Sequence, residues 1–488
     1  MDPADAVKPE RQSFWLWVMC LTGLNYFGTL AYQPSIAFEA VGLLAPLATI
    51  VLVALTLFGA LPVLRRVAKK SPLGRGSFGL FERHLGGWKA KLVVLAMLGF
   101  AATNLVVTNT LSAADAAEHL IHNPLWENAA PAALRNQMFL TMALLVLLGA
   151  LFLRGFRETI VAAVAVVGTY LLLNLIIILS GLWHLATHPD VIAAWYENVV
   201  AGRWYFEQAS VAGEGVLSIV LACLLFFPKL AVGLSGLETG IALMPLVRGE
   251  PDDNPKKPAG RIRNSRRLLT TAALIMSFML LGSSVVTSML IRHEALISGG
   301  PATNRALAFV AHGETVVLLN PIFGAAFGTI YDASTVAILW LAGASAMSAL
   351  LRLAPRCLPT FGMAPHWAGT TRILVLVFTG FNVFVTWIFG ASVAAQAGAY
   401  ATAVLVLIGS DCLAVTLVDW KRRRGPWYIR LSWRYLVIAS IFFSAAIAVI
   451  IESPESVLIA GAVILAILVF SMISRTRRST ESDCLTRA

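Results

Sequence analysis

The chain has 488 residues, of which 58% are hydrophobic and only 13% are charged, and its formal net charge is +11. This composition excludes a water-soluble globular domain and indicates a multi-pass membrane protein. The surplus of basic residues does not indicate a nucleic-acid partner, because it falls in the short segments between apolar stretches.

Twelve apolar stretches are long enough to span a bilayer, which takes about 20 helical residues. In chain order they run over residues 14–38, 42–64, 91–117, 138–154, 158–182, 213–247, 268–291, 329–351, 371–390, 396–418, 433–451 and 456–474. The polar start of the chain predicts a cytoplasmic tail and not a cleaved signal peptide.

The distribution of Lys and Arg predicts how the chain is oriented. With the N-terminus inside, the outer loops hold four basic residues, which are Arg135, Arg203, Arg292 and Arg305. Lys229 lies within a span, and the rest of the 37 basic residues fall in inner segments. Because basic residues stay on the cytoplasmic side, we expect both termini in the cytoplasm and the protein in the plasma membrane.

The first apolar segment contains a polar interruption. Tyr32, Gln33 and Pro34 stand where a plain spanning helix would continue with apolar residues. Pro34 has no backbone N–H and disfavours the α conformation of the residue before it. Backbone groups freed in the bilayer core need partners in the protein or in a bound solute. The segment therefore predicts a discontinuous helix at a solute site, and the alternative is a kinked helix packed against its neighbours.

The third apolar segment carries three polar residues at helical spacing. Asn104, Thr108 and Ser112 are four residues apart, so they line one face of a helix. Their oxygens could replace the hydration shell of a cation. Small hydroxyl residues also pack helices together in membranes, but Asn104 is costly there without a partner and favours a site.

The sixth apolar segment is interrupted as well. Pro228, Gly233, Gly236 and Gly240 fall inside it, five spans after the first interruption. Two interrupted helices in corresponding positions are typical of two five-helix repeats of inverted topology. We expect these repeats over residues 13–182 and 213–418. The predicted divisions, in chain order, are a cytoplasmic tail, a transport core, two additional helices and a second tail, over residues 1–12, 13–418, 419–474 and 475–488.

Several residues of the interrupted segments are candidates for gating or coupling. Ser235 and Glu238 have capping-box spacing, in which Ser235 would begin a half-helix and Glu238 would bond back to its amide. The alternative for both is a role in substrate binding or in coupling. Pro34 and Gly236 are further candidates for gating or coupling. Lys229 either extends toward the outer face or gates the site.

The sequence contains no motif of an enzyme or a cofactor site. We find no Walker loop, HExxH, GxSxG or paired catalytic carboxylates, and no metal-ligand spacing. We therefore expect no enzymatic activity, no cofactor and no metal site. The eight histidines fall in loops or at helix ends, where we expect them to be solvated. Asp115, Glu118 and Asp332 are expected to face an outer vestibule.

Two patterns in the first and third segments occur together in one superfamily. Asn25, Tyr32 and Pro34 stand in the pattern Asp-x-x-x-x-x-Ala-Tyr-x-Pro, with Asn in place of Asp. The third segment follows Asp-x-x-x-Thr-x-x-x-Ser from Asn104 to Ser112, again with Asn in place of Asp.

Two further patterns occur in register with these. The sixth segment follows Leu-Thr-Gly-x-Glu over residues 234–238, with Ser235 in place of Thr, and Tyr400 occupies the place of a tenth-helix tyrosine. By these four motifs the first ten spans resemble the amino acid–polyamine–organocation superfamily, and within it the bacterial proton-coupled potassium importers. The resemblance implies a LeuT-type fold, with two inverted five-helix repeats plus two helices. The substrate-binding residues that it implies are Asn25, Tyr32, Asn104, Thr108, Ser112, Ser235 and Tyr400.

The chain departs from these importers at two acids. Asn25 and Asn104 replace both carboxylates, so each position lacks a proton carrier and a charge that attracts cations. The retained motif oxygens favour a monovalent cation such as potassium, whereas the lost acids favour a neutral or zwitterionic solute such as an amino acid. If the lost acids are coupling groups, uptake should depend weakly on a pH gradient or be driven by another ion.

The sequence as a whole predicts a secondary active transporter, of the symporter type, that moves a small solute across the lipid bilayer. A monovalent cation is the favoured substrate, and an amino acid is the alternative. A channel-like uniporter and a non-transporting sensor with the same fold are further alternatives. Accumulation of solute against a gradient would separate the transporter from these two.

Overall fold

The computed structural model describes residues 12–452, apart from 73, 75, 85–86, 156–158, 205–214, 252, 255–257, 298, 316, 358–370, 423–425 and 427–429, together with 454 and 461. Within these residues the protein is all-helical, and its extended pairing is an isolated parallel bridge between Ser13 and Val247. This bridge joins the start of the first span to the end of the sixth. The two predicted cytoplasmic tails lie outside the described residues, apart from residue 12.

The long apolar runs form helices because a helix satisfies its backbone groups internally, which a bilayer requires. The α-helices, in chain order, are α1 Trp15–Gly28, α2 Gln33–Val41, α3 Ala45–Ala54, α4 Leu61–Lys70, α5 Gly76–His84, α6 Gly87–Ile121, α7 Pro124–Ala129, α8 Gln137–Leu153, α9 Ile160–Thr187, α10 Pro189–Val200, α11 Val216–Phe226, α12 Thr239–Ala242, α13 Ala259–Leu290, α14 His293–Leu296, α15 Ala306–Ala311, α16 Ala325–Cys357, α17 Thr371–Ile388, α18 Val393–Arg422 and α19 Trp433–Glu452. A π-helical stretch, Leu55–Ala60, joins α3 to α4. Short 3-10 helices cover Gly42–Leu44, Ala132–Arg135, Phe227–Leu234 and Met244–Leu246.

Nine stretches of the described residues are long and apolar enough to cross a membrane. The first, Trp15–Lys70, has 56 residues and contains two predicted spans. The predicted fourth span corresponds to the shorter helix α8, with 17 residues. Of the predicted span 456–474, only Gly461 is described. A multi-pass membrane protein is therefore confirmed, while the number twelve, the inverted repeats and the orientation stay predictions.

Helix α18 lies at the centre of the fold. In its most apolar window 83% of the residues are buried, compared with 28% for α17. α18 packs against α6, α19 and the 3-10 helix of the sixth segment, and α6 in turn packs against α16. The buried polar residues Thr108 and Asp115 of α6 and Tyr400 of α18 are thus shielded from lipid by surrounding helices.

Candidate functional site

The first apolar segment is interrupted, as predicted, but slightly earlier in the chain. α1 ends at Gly28 and α2 begins at Gln33, with a turn over 29–32 between them. The sequence predicts the interruption at Tyr32, Gln33 and Pro34. Pro34 instead lies in the first turn of α2, where the missing N–H costs no helical hydrogen bond.

The sixth segment is also discontinuous. After α11 the chain continues as the 3-10 helix Phe227–Leu234, turns over Ser235–Glu238, and resumes as the short helix α12. Gly236 supplies the reversal with a φ of +85°, a conformation that other residues rarely adopt. The predicted capping box is wrong: α12 has no side-chain cap, and Ser235 and Glu238 direct their side chains to other partners.

The two interruptions are in direct contact. A Cβ atom on Gly236 would lie 2.7 Å from the backbone N of Tyr26 and 2.9 Å from the carbonyl carbon of Asn25. The Nε2 of Gln33 donates a hydrogen bond of 3.0 Å to the carbonyl oxygen of Leu230. Glycine at 236 therefore allows the sixth segment to touch the first, and Gln33 satisfies a carbonyl of the 3-10 helix.

A cluster of buried hydroxyl groups lies beside these interruptions, and Tyr400 of α18 is at its centre. The Tyr400 hydroxyl forms hydrogen bonds with Ser235 Oγ and, at 3.0 Å, with Thr108 Oγ1. Tyr32 also interacts with Tyr400. Thr108 in addition donates to the backbone carbonyl of Asn104 over 2.7 Å. Residues from four distant parts of the chain thus meet, and all four belong to the motifs quoted above.

Several buried side-chain oxygens near this cluster have no hydrogen-bond partner among the described residues. Asn104 Nδ2 donates to Glu238 Oε1 over 3.0 Å, which leaves Asn104 Oδ1 and Glu238 Oε2 unpartnered. The Oδ1 of Asn25 is unpartnered as well. Buried polar atoms without partners are costly, and a carboxylate oxygen is more costly than an amide oxygen. These oxygen atoms are suited to coordinating a bound ligand.

The remaining predicted residues lie in two different places. Ser112 is buried one turn beyond Thr108 on α6. Lys229 is outside the hydroxyl cluster: its Nζ forms a 2.7 Å ion pair with Glu452 at the end of α19 and lies 5.7 Å above the ring of Phe226. The ion pair occupies the ammonium group, so any gating role would act through α19.

The sequence did not predict the burial of Asp115. It follows Ser112 by three residues on α6 and extends the row of Asn104 and Thr108 along the same helix face. Instead of facing a vestibule, Asp115 is fully buried, and neither carboxylate oxygen has a hydrogen-bond partner in the part of the chain described. It lies within electrostatic range of Tyr32. The i, i+3 spacing after Ser112 was the signal that could have identified it.

A second buried polar cluster surrounds Asp332 on α16. Its Oδ1 contacts Nδ1 of His119 at 2.9 Å, and its Oδ2 contacts Nε2 of His312 at 2.8 Å and accepts a 2.9 Å hydrogen bond from Asn123. Gly328, one turn earlier, makes room for this cluster, because a Cβ there would overlap the ring of His312. The prediction that all the histidines are solvated is therefore wrong for His119 and His312. Among the described residues, no three His, Cys, Asp or Glu side chains are grouped so that they could hold a metal ion.

Comparison with known structures identifies proteins of the same fold. A histidine-to-alanine mutant of a manganese transporter from Eremococcus coleocola superposes with a TM-score of 0.55 at 13% identity, over 98% of this chain and 99% of that one. The same transporter with an aromatic bis-isothiourea substituted compound gives a TM-score of 0.54 at 14% identity, over 97% and 98%. At this identity the likeness is one of fold. No protein-family model matches the sequence, and no curated protein matches it significantly.

Proposed function

We propose that this protein is a secondary active membrane transporter that binds a monovalent cation such as potassium between its two interrupted helices. The observation that carries the proposal is the set of unpartnered buried oxygens of Asn25, Asn104 and Glu238 beside the hydroxyl cluster of Tyr400. Carbonyl, hydroxyl and carboxylate oxygens replace the hydration shell of hard cations. Membership of the amino acid–polyamine–organocation superfamily, with its inverted repeats, is part of the same proposal.

The charge of the oxygen set favours a monovalent over a divalent cation. Glu238 contributes one carboxylate, and the oxygens of Asn25 and Asn104 are uncharged, so these three groups balance one positive charge. The buried Asp411 of α18 lies within electrostatic range of Glu238, but its side chain interacts with Ser77. A carboxylate in a low-dielectric site holds a neutralising cation more strongly than it would in water. The substitution of Asn for Asp in two motifs is then an adjustment of the charge at the site and not a loss of it.

The coupling ion of the proposed cycle is the proton, and its carrier is Asp115. A fully buried carboxyl group without hydrogen-bond partners among the described residues is neutralised either by a proton or by a cation. Asp115 sits on the α6 face that also carries Asn104 and Thr108, between the cation site and the cluster of Asp332. This proposal replaces the expectation of weak pH dependence, because Asp115 of α6 supplies a proton-carrying carboxyl group that Asn25 and Asn104 lack.

The titratable groups that face Asp115 come from its own helix and from three other elements. They are Glu118 and His119 of α6, Tyr32 of the first interruption, Tyr170 of α9 and Tyr331 of α16. His119 lies within electrostatic range of Asp115 and contacts Asp332, whose second oxygen contacts His312. Asn123 and Asp332 line a cavity of about 410 Å³ at the far end of this group of residues.

Uptake into liposomes tests the function. Purified protein should accumulate radioactive rubidium, a potassium analogue, above the outside concentration when an inward proton gradient is imposed. Asp115→Asn should keep rubidium exchange across the membrane in the absence of a gradient but lose its stimulation by the proton gradient. Asp115→Glu should restore part of it. Full stimulation in Asp115→Asn would rule out Asp115 as the carrier, while no exchange in any variant would refute cation transport.

The same liposomes separate the other candidates. Exchange without accumulation would indicate a channel-like uniporter, and the absence of any flux would indicate a sensor. Labelled amino acids test the zwitterionic alternative. Manganese is a further arm of the assay, because the structures of similar fold are those of a manganese transporter and oxygen ligands suit this ion too.

A further inference from the structure

A basic pocket lies at the ends of three membrane helices, away from the proposed transport site. It has a volume of about 370 Å³. Its polar lining consists of Tyr435 and four arginines, which are Arg65, Arg66, Arg266 and Arg434. Arg65 and Arg66 lie in the last turns of α4, Arg266 in the first turns of α13, and Arg434 at the start of α19. The chain thus places four guanidinium groups around one cavity.

Most of this positive charge has no acid to neutralise it within the described part of the chain. Asp419 pairs with Arg66 at 3.2 Å, but it also pairs with Lys70 at 2.6 Å. The Nε atoms of Arg65, Arg66 and Arg266 are buried and have no hydrogen-bond partner among the residues described. Arg266 moreover lies close enough to Arg65 and Arg66 to experience their repulsion. A bound anion would reduce the repulsion between these guanidinium groups and accept hydrogen bonds from their unpartnered Nε–H groups.

The rest of the pocket is apolar. Leu57, Leu61 and Pro62 line one side of it, next to the guanidinium groups. An inorganic anion would gain nothing from these side chains, whereas an amphiphile would place its acyl chains against them. Guanidinium groups bind phosphate oxygens through paired hydrogen bonds, and basic pockets between membrane helices recognise anionic headgroups.

We propose that this pocket binds the phosphate of an anionic phospholipid, with the acyl chains along Leu57, Leu61 and Pro62. The lipid bridges α4, which follows the first interrupted segment, and α13, which follows the sixth. Bound lipid neutralises the repulsion between Arg266 and the pair Arg65 and Arg66, and thereby stabilises the packing of these helices. The proposal is independent of the transported substrate.

Thermal unfolding of the full-length protein in detergent, followed by tryptophan fluorescence, tests this site. Phosphatidylglycerol titrated into the micelles should raise the unfolding temperature, and phosphatidylcholine should not. In the double variant Arg65→Gln with Arg266→Gln, the half-maximal phosphatidylglycerol concentration should rise by roughly tenfold or more, because two charge-assisted hydrogen-bonding groups are lost. The matched control is Arg154→Gln with Arg372→Gln, two exposed arginines outside the pocket, and it should behave like the unmodified protein.

Three results would overturn the proposal. The first is that phosphatidylglycerol stabilises the double variant as much as the unmodified protein. The second is that phosphatidylglycerol and phosphatidylcholine stabilise the protein equally. The third is that inorganic phosphate alone stabilises it as much as phosphatidylglycerol does, which would assign the pocket to a free anion. If the double variant does not fold, Arg434→Gln replaces it, because this side chain is exposed and its loss leaves no cavity. A shift of several-fold is then expected, and no shift would overturn the proposal.

Discussion

Glu238, in the turn before α12, and Asp332, on α16, are both acids with buried oxygens, but their surroundings differ. Both oxygens of Asp332 have partners, which come from α6, the start of α7 and the end of α15. Glu238 has one oxygen bonded to Asn104 and the other unpartnered among the described residues. The protein itself supplies hydrogen-bond partners for both oxygens of Asp332, whereas Glu238 keeps one oxygen available. Buried polar networks of the first kind hold helices together, whereas those of the second kind are suited to a ligand.

The comparison predicts that removing Asp332 will damage folding. In Asp332→Ala, three donors from different helices lose their shared acceptor, and the free energy of unfolding should fall by about 3–5 kcal/mol. Thermal unfolding in detergent measures this, with the exposed Glu197→Ala as the control. An unchanged unfolding temperature for Asp332→Ala would show that the cluster is not structural.

At Glu238 the comparison predicts the opposite outcome. Glu238→Gln keeps an oxygen that accepts from Asn104 but removes the charge, so stability should not fall. The apparent affinity for rubidium should decrease by roughly tenfold to a hundredfold, since one charge-assisted contact is lost. Concentration-dependent uptake in liposomes measures this. Unchanged affinity together with a lower unfolding temperature would place Glu238 with Asp332 as a structural acid.

Restoring the two lost acids should make the proposed cation site at Glu238 differ further from the cluster of Asp332. Asn25→Asp and Asn104→Asp add charge beside unpartnered oxygens, and together they should raise cation affinity by roughly threefold to tenfold. They should also make uptake depend more steeply on pH, because each introduced carboxyl group can take up a proton. Rubidium uptake at several imposed pH gradients measures both effects. No cation uptake even in the double variant would favour the amino acid alternative.

Local sequence was sufficient to predict the two interruptions and the polar face of α6. Prolines and glycines mark a broken helix, and the spacing of Asn104, Thr108 and Ser112 defines a helix face without knowledge of any partner. The meeting of Tyr400 with Ser235 and Thr108 came from motif resemblance, and the structure places these groups together.

What the sequence did not predict depends on contacts between distant residues. His119 and Asp332 are 213 residues apart, and nothing local marks them as partners. The burial of Asp115 follows from the packing of α6 against its neighbours, which composition does not report. Glu238 was predicted to cap a helix because capping depends on local spacing alone, whereas its actual partner, Asn104, lies 134 residues away.

The most direct test of the central claim compares two asparagines of α6. Asn104 contacts Glu238 at the proposed site, whereas Asn109 faces α16, where a Cβ on Gly343 would lie 2.9 Å from its Oδ1. Rubidium accumulation in liposomes, normalised to folded protein, should fall by roughly tenfold or more in Asn104→Ala. In Asn109→Ala it should stay within about twofold of the unmodified protein. Equal accumulation in the two variants, or none in the unmodified protein, would contradict a cation site between the interrupted helices.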